Sequence, residues 1–136
     1  MSRANVDRAY ESLDAFNRRD VQAALALMDD GVETLSRLAG IEGGYVGHDG
    51  VRRHWEHLFD AMPDLTAEAV TVHDLGDITI TEMHLRGSGA GSTTPLDETV
   101  WSVAEWRAGK CIWLNPSFPS EATARAAAEA RASRSR

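Results

Sequence analysis

Residues 65–87, LTAEAVTVHDLGDITITEMHLRG, decide the architecture. Apolar or β-branched side chains alternate with polar ones through 65–74 and again through 78–86, the two-residue period of a half-buried strand. Leu75-Gly76-Asp77 between them is short and turn-forming, so the two strands fold back as an antiparallel hairpin. The pattern repeats downstream, where 96–106 and 111–118 read as strands joined by the Arg107-Ala108-Gly109-Lys110 turn. The connection from Gly87 to Pro95 is longer and rich in Gly, Ser and Thr; it predicts a flexible turn region, with a lid as the sharper reading.

Before residue 65 the period changes. Val6, Ala9, Tyr10, Leu13 and Phe16 recur at three- and four-residue steps, which predicts a helix ending near Asn17. Asp20 is placed to cap a second helix, with Val21, Ala24, Leu25 and Met28 as its buried stripe and Asp29-Asp30-Gly31 as its stop. Residues 32–38 read as a short strand, and the Gly-rich stretch 40–50 as a loop with a brief strand at Tyr45-Val46. A third helix begins at Asp49, gathers Val51, Trp55, Leu58, Phe59 and Met62 in a narrow arc, and stops at Pro63. The segment from Glu121 is rich in Ala and Arg with almost no large apolar side chain, so it is expected to fray.

Helices first and a strand meander afterwards predict a single α+β domain over 1–120, followed by an Ala/Arg-rich tail over 121–136. The expected form is a curved antiparallel sheet whose concave face is closed by the N-terminal helices over a small apolar cavity. Tyr10, Phe16, Trp55 and Phe59 are expected to converge on that sheet.

The 136 residues suffice for one core but not for two ordinary domains, and an apolar fraction of 43% excludes a disordered chain. No apolar stretch is long enough to cross a bilayer, so no membrane contact is expected. Net charge is −7, and Arg18-Arg19 and Arg52-Arg53 stand isolated in acidic surroundings, so nucleic acid is not an expected partner. No basic-then-apolar segment opens the chain, and Cys111 has no second cysteine to pair with; the expected address is the cytoplasm. No Gly-x-x-x-x-Gly-Lys-Ser/Thr run is present, and no cofactor is expected.

Three junctions carry a family resemblance: Ala15-Phe16-Asn17-Arg18-Arg19-Asp20, Tyr45-Val46-Gly47-His48-Asp49-Gly50-Val51-Arg52, and Met62-Pro63-Asp64-Leu65, with Gly109-Lys110 between the last strands. In order and spacing they resemble the nuclear transport factor 2-like superfamily, and within it the SnoaL-like group of polyketide cyclase and ketosteroid isomerase-like proteins. The resemblance reaches to about Ala128. It implies a cone-shaped domain and a homodimer through the outer face of the sheet. It implies no single reaction, because the same cone serves isomerases, cyclases, dehydratases, epoxide hydrolases, binders and adaptors.

Set against those chemistries, the tyrosine and two aspartates of the isomerases fall on Ser12, roughly Leu35, and Ser102, and all three are lost. The cyclase aspartate of the late strands is also missing: the last aspartate is Asp97, and Asn115 cannot take up a proton. The nearest analogue of the epoxide hydrolase constellation is the row Glu82, His84, Arg86. Alignment with the isomerases points this row into the cone, where Glu82 would orient His84 as a general base. In the other reading Met83 and Leu85 face the core and the polar row lies on a solvated or dimer-facing surface.

The expected function is binding of a small hydrophobic molecule, with or without acid/base turnover by His84 and Glu82. Tyr45, Trp55, Phe59, Arg86, Ser102, Leu114 and Phe118 are the expected ligand contacts. A dimeric interaction module working through its sheet face is the competing expectation, since Trp101, Trp106 and Trp113 all lie on the last two strands. His54 and His57 are expected at the surface with no metal role, and Cys111 as a buried structural thiol.

Overall fold

In the computed structural model, which describes residues 3–35, 45–88 and 95–134, the period-two segments join in one six-stranded sheet. The strands are β1 (Met28–Thr34), β2 (Tyr45–Val46), β3 (Thr66–Asp74), β4 (Ile78–Gly87), β5 (Leu96–Arg107) and β6 (Lys110–Phe118), in the spatial order β2-β1-β6-β5-β4-β3. The run from β3 to β6 is the expected antiparallel meander. Its last turn places Ala108 and Gly109 at φ 52° and 80°, the two positive angles that match the twist of a tight hairpin.

The first strand departs from expectation. It begins at Met28 and includes Asp29-Asp30-Gly31, which the sequence suggested as a helix stop. A register shift between Met28 and Glu33, where β1 runs parallel to β6, bulges these exposed residues outward. Met28 remains buried, but as a strand residue. The expected continuation of this strand to residue 38, most of the Gly-rich loop, and the core of the 87–95 connection lie outside the described residues.

Helices α1 (Arg3–Asn17), α2 (Val21–Ala26) and α3 (Gly47–Ala61) cover the concave side. Asp20 caps α2 as expected, accepting the Ala23 N–H at 3.1 Å. Helix α3 starts two residues before Asp49, which pairs with Arg52 at 3.0 Å instead of capping. Phe16, Trp55 and Phe59 meet at centroid distances of 5.0–5.8 Å, whereas Tyr10 turns away and is 46% exposed.

One side chain joins the helical layer to the sheet edge. Asn17 donates to the Ala67 carbonyl at 2.8 Å and accepts the Ala67 N–H at 2.9 Å, pairing with the outer edge of β3 as a neighbouring strand would. Asn17→Ala removes both bonds and is expected to cost about 2 kcal/mol. Urea denaturation reads this directly; an unchanged midpoint would show that the clamp adds nothing.

The segment expected to fray is instead a helix, α4 (Glu121–Arg134), docked on the convex face of the sheet. Ser120 starts it, its hydroxyl accepting the Thr123 N–H at 3.2 Å. Ala124 and Ala128 are fully buried, and their small size lets the helix settle close to Ile78, Ile80, Val103 and Trp113. The large apolar groups of this contact belong to the sheet, so the helix needs none of its own. Arg131 then pairs with the buried Glu105 at 2.8 Å, and its guanidinium lies over the Trp113 ring at 4.7 Å. Among the described residues no helix is long and apolar enough to cross a membrane.

Candidate functional site

Between the three N-terminal helices and the concave sheet face lies a cavity of about 410 Å³. Ala9, Leu13 and Phe16 of α1 and Val51, Trp55 and Leu58 of α3 form its roof. Its floor comes from the strands: Thr79, Thr81, Met83 and Leu85 of β4, Ser102, Ala104 and Trp106 of β5, and Leu114 of β6. Most of this lining is hydrocarbon, and no Lys or Arg is found in it among the described residues.

The parity of β4 is fixed by what covers its two sides. Ile78 and Ile80 are buried beneath α4 on the convex face, so the two-residue period carries Glu82, His84 and Arg86 to that side as well. His84 Nε2 there meets a carboxylate oxygen of Asp97. The reading that sent Glu82 and His84 into the cone is therefore corrected: they stand on the opposite face of the strand from the cavity. Arg86 borders a separate shallow cleft with Asp64, Ser88 and Asp97.

Of the other expected contacts, Trp55, Ser102 and Leu114 do line the cavity. Tyr45, 2% exposed, sits behind the wall and stacks on the His54 ring at 4.9 Å. Phe59 is likewise outside the lining, packed on Phe16 and Trp55 and covered by the Arg19 guanidinium at 3.7 Å. Phe118 is opposite Trp101 and packs against the cluster under α4. A register shift between Trp101 and Val103 turns it outward while Pro116 and Ser117 reach the cavity.

The residue the sequence reading misplaced is His54. It is 5% exposed and lines the cavity, although the stripe through Val51, Trp55 and Leu58 put it at the helix boundary. The usable signal was its spacing, three residues after Val51 and four before Leu58. Burial lowers its pKa from 6.5 to about 4, and the neighbouring His57 adds to the shift, so the imidazole is neutral at neutral pH. One ring face is taken by Tyr45, whose hydroxyl is 3.1 Å from His57 Nδ1. That stacking leaves the imidazole edge for hydrogen bonding.

Four hydroxyl groups of the lining differ in what they already bond. Thr79 accepts the Trp106 indole N–H at 3.0 Å. Thr81 and Ser102 are cross-strand partners on the cavity side. At the β1 end, Thr34 Oγ1 is buried without a hydrogen-bond partner among the described residues, a condition that costs about 1–3 kcal/mol. Cys111 is as expected a buried thiol; burial pushes it up to about 12, and its Sγ–H donates to the Trp113 carbonyl at 3.4 Å, so it is no nucleophile at neutral pH. Among the described residues no group of three or more His, Cys, Asp or Glu side chains could hold a metal ion.

Comparison with known proteins follows the same outline. Residues 6–113 match the SnoaL-like domain. No curated protein matches the chain. Among solved structures, a nuclear transport factor 2-like protein of unknown function from Burkholderia pseudomallei superposes with a TM-score of 0.78 at 19% identity, covering 92% of this chain and 97% of that one. TerC, co-crystallised with polyporic acid, gives 0.75 at 18% identity over 90% of this chain and 96% of its own. A protein assigned as a SnoaL-like polyketide cyclase, from Jannaschia sp., gives 0.73 at 16% identity over 82% and 83%. At these identities the structures speak for the fold alone, and the match over 6–113 speaks for the family: the chain belongs to the SnoaL-like domain family, on the nuclear transport factor 2-like fold shared by polyketide cyclases and ketosteroid isomerase-like proteins.

Proposed function

We propose that this protein binds a small hydrophobic molecule in the cone. The observation that carries the reading is the cavity of about 410 Å³, apolar on most sides and furnished with a few polar groups, which is the composition and size of a small-molecule site. A core at native density would leave no such volume, since voids larger than a water are few in packed interiors. TerC, with the same fold, was co-crystallised with polyporic acid, a small organic molecule. Where acid/base turnover is concerned, the support has moved from His84 to His54, the imidazole that borders the cavity.

The competing reading, an interaction module working through its sheet face, has lost much of its surface. Trp113 and the buried part of the outer face lie under α4, and Trp106 faces the cavity. The ligand reading is tested with Nile red, an uncharged dye whose emission shifts blue in apolar surroundings. Saturable binding of one dye per chain is expected, abolished by Ala104→Trp, which fills the cavity from its floor. Absence of saturable binding, or equal binding by the filled variant at an unchanged melting temperature, would overturn the proposal.

A further inference from the structure

We propose that His54 on the roof and the adjacent Thr81 and Ser102 hydroxyls on the floor form a hydrogen-bonding subsite that selects uncharged, oxygen-bearing ligands over both hydrocarbons and anions. This inference rests on the cavity being a ligand site.

The argument begins with polar groups whose bonding is unfinished. Among the described residues, neither His54 nor Thr81 nor Ser102 has a side-chain hydrogen bond, although all three are at least nine-tenths buried and line the cavity. Buried polar atoms are nearly always satisfied, and groups that open onto a cavity find partners in water or in what fills it. A neighbouring hydroxyl on the same floor behaves differently: Thr79 is occupied by the Trp106 indole. Thr34 at the β1 end shares the unfinished bonding, and Thr81 and Ser102 are distinguished from it as cross-strand neighbours that present two hydroxyls together.

Their chemistry sets the ligand class. A neutral imidazole offers one donor and one acceptor, and each hydroxyl offers both, so a ligand hydroxyl or carbonyl oxygen can be met from the roof or the floor. Stacking against Tyr45 fixes the imidazole plane, which makes His54 a preorganised partner. Charge is handled in the opposite way. The lining holds no Lys or Arg among the described residues, and Glu98 borders it, so a carboxylate or phosphate would lose its hydration and gain no counter-charge. A hydrocarbon fits the walls but leaves the three polar groups dry.

Three probes of one skeleton separate these terms: naphthalene, 2-naphthol and 2-naphthoate, titrated calorimetrically into the full chain. Naphthalene and 2-naphthol are both expected to bind, with the naphthol about tenfold tighter, as one net hydrogen bond to a buried partner allows. The naphthoate should bind about a hundredfold more weakly than the naphthol. In His54→Phe, which keeps an aromatic ring against Tyr45, and in the double variant Thr81→Val with Ser102→Ala, the naphthol advantage should fall to threefold or less while naphthalene binding persists. His54→Gln, which keeps hydrogen-bonding capacity, should retain part of the advantage. Equal binding of naphthol and naphthalene, an advantage untouched by the variants, or tight binding of the naphthoate would each overturn the subsite and leave the cavity reading standing. Failure of naphthalene and naphthol alike would overturn the ligand reading and this inference with it.

Discussion

Removing α4 by ending the chain after Ser120 is expected to lower stability by roughly 4 kcal/mol and to make the remaining domain self-associate. Ile78, Ile80, Val103 and Trp113 are all buried under this helix, and each large apolar side chain returned to water forfeits about 1.5–3 kcal/mol when exposure is complete. Exposure would be partial, since the sheet still covers the flanks of these residues, which sets the figure below their sum. On a typical total of about 5–15 kcal/mol this is a large fraction. The contiguous apolar patch left on the convex face is the kind of surface that drives association. A single substitution probes the same contact without deleting it. Arg131→Met leaves the Glu105 carboxylate, 4% exposed, without its guanidinium partner and should cost about 3 kcal/mol. Glu105→Gln on that background should recover part of the loss, because the buried carboxylate charge is gone. Urea denaturation and sedimentation read these outcomes. A truncated chain with the parent's unfolding midpoint would show that α4 merely rests on the sheet.

That helix also marks the boundary of what the sequence could say. Local period and turn chemistry located all four strands of the meander to within one residue at each end, because strand alternation and the Ala108-Gly109 turn are encoded in neighbouring residues. The docking of α4 is not local. Its own stripe is only alanine, and the apolar partners it needs, Ile78, Ile80, Val103 and Trp113, are distant in sequence on the convex face. The same gap produced the error over Glu82 and His84. Alternation shows that they share a side with Arg86, but which side faces the cone depends on α4 burying Ile78 and Ile80 from outside. With the helix taken as frayed, the strand's own signal, apolar Met83 and Leu85 against the polar row, stood alone against the alignment that pointed Glu82 and His84 inward. Phe118 failed for another reason, since a register shift inside β6 resets the parity that counting from the turn would give. His54 was within reach: it is three residues after Val51 and four before Leu58, and only its place at the edge of the stripe and its polar character argued against burial.

Acid should expose that burial as a slope in stability that belongs to His54. The imidazole titrates at 6.5 in the unfolded chain and at about 4 in the folded one, held down by burial first and by His57 second. Above pH 6.5 both states carry it neutral, and folding gains or loses nothing from it. As pH falls below 6.5 the unfolded chain takes up a proton that the folded chain refuses, so stability declines. The decline ends near pH 4, where the folded form is protonated too, and by then amounts to about 3 kcal/mol. Carboxylates also titrate toward the lower end of this range, so the parent's curve alone does not isolate the histidine. His54→Phe does: it keeps a ring against Tyr45, removes the titrating group, and shares every carboxylate with the parent. The stability difference between parent and variant should therefore move by about 3 kcal/mol in favour of the variant between pH 6.5 and pH 4, measured by urea denaturation at closely spaced pH values. A difference that stays flat across that interval would mean that the ring takes up its proton in the folded chain as readily as in water. The dry surroundings that make His54 a preorganised hydrogen-bonding partner would then be lost, and with them its advantage over water in recognising an uncharged hydroxyl.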